Sequence, residues 1–176
     1  NIANSTISNN SASSFGGAIE NISGAILNIS NSTLSNNSAS SFGGGIDNFG
    51  GTLTVINSTL SGNSLTNSGS GGGGIYSSGQ ITIANTIIAN STGGDFAGPG
   101  SVSLGTASQA NNLVTQGTFS WATTVTSAQL NLGPLQNNGG PTFTMALGTG
   151  SVAIGAGNAT ISNNFPINGK DQRGIT

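Results

Sequence analysis

The chain contains no cysteine and no histidine, and two basic and four acidic residues carry all of its formal side-chain charge. Without cysteine there is neither a disulfide nor a thiolate metal site. Without histidine the commonest metal ligand and the commonest general base are missing. Two basic residues are too few to neutralise a nucleic-acid backbone or to hold a polybasic stretch on anionic lipid. Charged residues make up 3% of the chain, against roughly 25% in an ordinary soluble domain. No apolar run approaches the length of a membrane-spanning helix, and no signal peptide is recognisable. These absences argue against a nucleic-acid partner, membrane insertion and a bound cofactor. The lack of cysteine fits an exported product.

Polarity comes instead from Gly, Asn, Ser and Thr, while 34% of the 176 residues remain hydrophobic. Low-complexity disorder lacks regularly spaced apolar residues, and here they are regular. Residues 4–21 read NSTISNNSASSFGGAIEN and residues 31–48 read NSTLSNNSASSFGGGIDN, identical at fifteen of eighteen positions. Ile2, Ile29, Val55 and Ile83 form one column, Asn4, Asn31, Asn57 and Asn85 a second, and Ile7, Leu34, Leu60 and Ile88 a third, all with spacings of 27, 26 and 28. Asn10, Asn37 and Asn63 continue the pattern. Such a period marks a repeat architecture.

Within each unit the apolar residues alternate, as in Leu53-Thr54-Val55 and Ile81-Thr82-Ile83, which is the period of a strand. The segments are short, β-branched and separated by Gly, Asn and Ser clusters. The fold expected is all-β: a single-stranded, right-handed parallel β-helix of about six coils of about 27 residues, each about 4.8 Å above the last. Residues 1–98 would form regular coils. Residues 99–176 would form degenerate coils and a C-terminal closing segment of the same domain. Val102 with Leu104, Leu113 with Val114, and Leu130 with Leu132 would each open a further coil. Phe143–Leu147 and Val152–Ile154 would give the last strands, and Phe119 and Trp121 would pack on the side or end. The Ile/Leu/Val columns would face inward. The Asn4/Asn31/Asn57/Asn85 column would form an amide ladder at a corner, where Asn tolerates left-handed backbone.

The segments GGAI (16–19), GGGI (43–46) and GGGI (72–75), each following an N-S-T-[IL]-x-x-N segment, resemble the repeats of bacterial polymorphic outer-membrane proteins. The run LGPLQNNGGPTFTMALGTGSVAIGAGN (132–158), followed by KDQRG (170–174), resembles the C-terminal end of choice-of-anchor Q proteins, with Gly155 where that family carries Asp. The resemblance implies a right-handed parallel β-helix displayed on a bacterial cell surface, and no particular activity.

Chemistry has few residues to draw on. Glu20 and Asp47 occupy equivalent positions of adjacent repeats and so lie about 5 Å apart; they are the weak candidates for a metal or a catalytic carboxylate pair. The alternative is two solvated acids on an outer corner. Lys170-Asp171-Gln172-Arg173 would close the last coil or pair internally. No catalytic residue and no firm metal ligand is assigned.

The chain enters the repeat in phase at Asn1, so Ile2, Asn4, Thr6 and Ile7 would present an edge able to receive another rung. Head-to-tail addition through that edge would build filaments. The function expected is therefore a non-enzymatic extracellular or cell-surface β-solenoid, structural or adhesive, whose partners are further copies of itself or cell-surface components. A carbohydrate-binding or polysaccharide-degrading β-helix is the alternative. An ice-binding face, suggested by Thr6, Thr33 and Thr59, is the third.

Overall fold

The computed structural model describes residues 1–67, 69, 71–103, 111–164 and 167–176. Its alternating segments form three main parallel sheets that the chain visits in turn, with a further two-stranded parallel pair, Ser38–Ala39 with Ser64–Leu65. Sheet 1 contains Ile2–Ala3, Ile26–Ser30, Thr52–Ile56, Gln80–Ala84 and Ser101–Ser103; sheet 2 contains Thr6–Ser8, Thr33–Ser35, Thr59–Ser61, Ile87–Ala89, Asn112–Val114 and Ala122–Thr124. Sheet 3 contains Ile19–Ile22, Ile46–Phe49, Ile75–Ser77 and Phe96–Ala97. Each strand pairs with its equivalent one repeat later, so the chain is a parallel β-solenoid. Ile2 lies beside Ile29, Ile29 beside Val55 and Val55 beside Ile83. Likewise Ile7 lies beside Leu34, Leu34 beside Leu60 and Leu60 beside Ile88. These columns meet in one core with Ile46, Leu53, Ile75 and Val114.

The corners explain the repeated Asn and Gly. Asn4, Asn31, Asn57, Asn85 and Asn111 all adopt left-handed backbone, with φ between 45° and 50°, which Asn tolerates better than other non-glycine residues. Gly16, Gly43 and Gly72 make a second such corner, at φ 57°, 59° and 67°. Gly44 is required for a different reason: a Cβ there would lie 2.3 Å from the Ser64 carbonyl oxygen of the next coil.

The coil count is smaller than the sequence implies. The solenoid makes about four turns rather than six. Leu113 and Val114 do form a rung, and Val102 lies in the last strand of sheet 1; Leu104 falls outside the described residues. Leu130 and Leu132 do not open a coil. Thr126 caps the short helix α1 (Ser127–Leu130) through a reciprocal capping box with Gln129, and Asn131, at φ 44°, turns the chain away. The chain then runs into an antiparallel hairpin, Leu132–Gln136 with Thr144–Leu147. Val152–Ile154 is a turn, not a strand, and Ala159–Asn163 is a second short helix, α2.

This C-terminal segment folds back along the outside of the solenoid. Ser151 and Val152 bond the last turn of α1, through Leu130 O and Gln129 O. The hairpin tip reaches the first coil, where Thr6 Oγ1 donates to Phe143 O at 2.6 Å. The tail then makes the same journey and ends at the first coil, with Gln172 Nε2 donating to Ser5 O at 3.1 Å. The far end of the core is covered by Phe119 and Trp121, which stack at 4.9 Å and meet Phe96 edge-on at 5.7 and 5.1 Å.

Candidate functional site

The two acids singled out in the repeat do come together. Glu20 and Asp47 are register partners on sheet 3, and Tyr76 is Asp47's partner on the next coil. Alternation along the strands turns Ile19, Ile46 and Ile75 to the core and this column outward. The two acids are nonetheless unlike. Glu20 is exposed, whereas Asp47 is only 2% exposed and its Oδ1 has no hydrogen-bond partner among the described residues. The picture of two solvated acids is thus corrected for Asp47. Burial, reinforced by the Glu20 charge, pushes the Asp47 carboxyl up to about 6.

Apolar side chains border this column on both sides. Phe15 and Phe42 stack across coils at 6.0 Å, and the Phe42 ring closes on Tyr76 at 4.5 Å. On the other side Ile22 and Phe49 are register partners, 57% and 60% exposed. Sequence reasoning points to the acids and Tyr76 but misses these flanking side chains; the Ser-Phe-Gly before each of the first two glycine corners is the signal that could have found the Phe15–Phe42 pair.

The other acids are committed to the fold. Asp95, fully buried, accepts bonds from the Ser91, Thr115 and Gln116 backbone N–H groups and from Thr115 Oγ1. Asp171 pairs with Arg173 at 2.6 Å. Burial alone would raise its pKa, but the Ile175 N–H and the Arg173 guanidinium and backbone N–H outweigh that and hold it below the usual value. Lys170–Arg173 closes the first coil rather than the last: Gln172 Nε2 reaches Ser5 O and Thr6 Oγ1, and its Oε1 accepts from Thr33 Oγ1.

The Asn columns divide their labour differently from expectation. Asn4, Asn31, Asn57 and Asn85 form no amide-to-amide ladder. From Asn31 onward their side chains face the returning C-terminal segment: Asn31 Nδ2 donates to Lys170 O, Asn57 Nδ2 to Ser162 Oγ, and Asn85 Nδ2 to Asn158 O and Ser162 Oγ. The ladder lies in Asn10, Asn37 and Asn63, where Asn10 Nδ2 donates to Asn37 Oδ1 and Asn37 Nδ2 to Asn63 Oδ1, both at 3.0 Å, and in Asn21 Nδ2, which donates to Asn48 Oδ1 at 2.7 Å.

Between the C-terminal segment and sheet 2 lies a cavity of about 450 Å³, lined by Thr33, Asn57, Thr59, Asn138, Asp171 and Arg173 among others. Of the Thr6/Thr33/Thr59 column, Thr6 and Thr33 are engaged by Phe143 O and Gln172, and Thr59 lines the cavity. No group of three or more potential metal ligands occurs among the described residues. No protein-family model, no curated protein and no solved structure matches the chain. Fold and site together define it as a parallel β-solenoid with a returning C-terminal clamp.

Proposed function

We propose that the chain is a non-enzymatic, right-handed β-solenoid that acts as a structural or adhesive element on a bacterial surface and associates with further copies end to end into filaments. The observation that carries this reading is where the polar side chains go. Asn10, Asn37 and Asn63, and Asn21 and Asn48, bond one coil to the next. Asp95 and Asp171 hold loops. That is the chemistry of a scaffold rather than of a reaction centre. The likeness of residues 132–158 and 170–174 to choice-of-anchor Q proteins supports surface display.

Ile2–Ala3, Thr6–Ser8 and Ile19–Ile22 each stand at the edge of their sheet, with a partner on one side only among the described residues. Ile2 and Ile7 are only half-buried against the core. Strand edges of a parallel sheet pair with strands of the same kind, and the near absence of charge does not oppose such pairing between copies.

Sedimentation over a rising concentration series tests the assembly. The chain should associate, and Ile2→Lys should suppress it; a monomer at every concentration would overturn this part. Release of reducing ends or unsaturated sugars from polysaccharides would overturn the non-enzymatic part.

A further inference from the structure

We infer that the outward face of sheet 3 binds a linear neutral polysaccharide, laid along the solenoid axis over the first three coils. The site is the Glu20/Asp47/Tyr76 column between the Phe15–Phe42 and Ile22–Phe49 borders. Four observations point to this occupant.

First, the face joins the two ingredients that recognise sugars. Exposed apolar side chains receive the C–H faces of pyranose rings, and carboxyl oxygens accept from their hydroxyls. Phe15, Phe42 and Phe49 are 42%, 38% and 60% exposed. These apolar groups stand in rows, not singly, so they form a patch and not scatter.

Second, Asp47 is buried with Oδ1 unpartnered among the described residues. A buried acceptor without a donor costs free energy that packing alone does not require. Oδ1 lies just beneath the strip, so a small shift of the side chain would let a ligand hydroxyl supply that donor, while Glu20, exposed beside it, offers an acceptor already at the surface.

Third, the face is periodic: its rungs lie about 4.8 Å apart and the Phe15, Phe42 and Tyr76 rings follow one another at 6.0 and 4.5 Å, each on the scale of one pyranose unit. A linear glycan therefore stays in step with the coils, one sugar per rung. A globular partner has no such periodicity to match.

Fourth, the charge of the face selects among glycans. The column carries two carboxyl groups, Glu20 and Asp47, and no basic side chain. The two basic residues, Lys170 and Arg173, belong to the C-terminal segment clamped on the Asn corner and sheet 2. Uronate-bearing and sulfated chains are repelled, and neutral hexose or pentose chains are not.

The site needs no second copy, so it stands or falls apart from the assembly proposed above. The test is affinity electrophoresis of the full chain through gels carrying neutral glucan, mannan or xylan, with polygalacturonate as the acidic control. Neutral glycan should retard the chain, and polygalacturonate should not. Phe42→Ala and Glu20→Ala should each weaken retention about tenfold. Glu20 is exposed, so its variant should fold, and matched thermal melts check both. Ile2→Lys should leave retention unchanged while suppressing association, which separates failure of one proposal from failure of the other. Absence of retention by every neutral glycan, equal retention by polygalacturonate, or wild-type retention in both variants would each overturn the inference. So would a finding that Phe42→Ala abolishes self-association while glycan has no effect, since the face would then belong to a second copy.

Discussion

Asn31 and Asn37 are six residues apart in the same coil, carry the same side chain, and do different work because of one backbone angle. Asn31 is left-handed at φ 45°, while Asn37 is not among the residues with positive φ. The first therefore points its amide out to Lys170 O and the second points inward to Asn63. Asp47 is the other residue whose position sets its chemistry. Its carboxyl is raised from the ordinary 3.8 to about 6 by burial and by Glu20. Between those values the folded chain binds more protons than the unfolded one, so stability falls as pH rises through that window and is flat above it. The loss is on the order of 3 kcal/mol. Asp171 acts in the opposite sense at lower pH, but its side chain is 40% exposed and its effect is small. Asp47→Asn should remove most of the slope and be more stable than the parent at neutral pH. Urea midpoints at about pH 4 and about pH 7.5 check this; equal midpoint shifts in parent and variant would show that another group is responsible.

At the scale of the element, a strand of two to five residues is too short to stand alone. Each is held by the neighbouring coils, and the Asn ladder adds bonds that the backbone cannot make. Asn37 is fully buried: its Oδ1 accepts from Asn10 N and Nδ2, and its Nδ2 donates to Ile7 O and Asn63 Oδ1. Asn37→Ala should cost about 2–4 kcal/mol, since several of these partners are left without water or protein to bond. Equilibrium denaturation measures it, and a loss under about 0.5 kcal/mol would mean the ladder is incidental. The parallel pairing and its register were legible in the sequence, because columns at a fixed period can only stack. Which Asn column formed the ladder was not, since the two differ in φ and not in residue type. The acid pair was legible as well, but the burial of Asp47 was not: it depends on neighbours that arrive from other coils.

Over the whole molecule, the C-terminal segment turns a stack of coils into a closed unit. It leaves the last coil at Asn131, passes along the corner Asn side chains and ends at the first coil. Sequence-distant contacts of this kind, as between Ser5 and Gln172, tie the two ends together without adding a rung. Gln172 is the anchor, bonding Ser5 O, Thr6 Oγ1, Thr142 Oγ1 and Thr33 Oγ1. Gln172→Ala should release the tail and hairpin tip from the first coil while leaving the central coils intact. Hydrogen exchange should rise at residues 142–143 and 170–175, with protection at Leu53–Val55 and Ile81–Ile83 unchanged. Uniform loss of protection would mean that the clamp and the coils unfold as one.

The sequence by itself determined the parallel β-solenoid, its core columns and its corner residues, because each follows from local alternation, a fixed period and the backbone tolerance of Asn and Gly. Only the tertiary structure decided how many coils there are, what closes the far end, and where residues 132–176 go. Those outcomes depend on which surfaces remain uncovered once the coils have stacked. A chain that returns over its own corner leaves no period in the sequence to announce it.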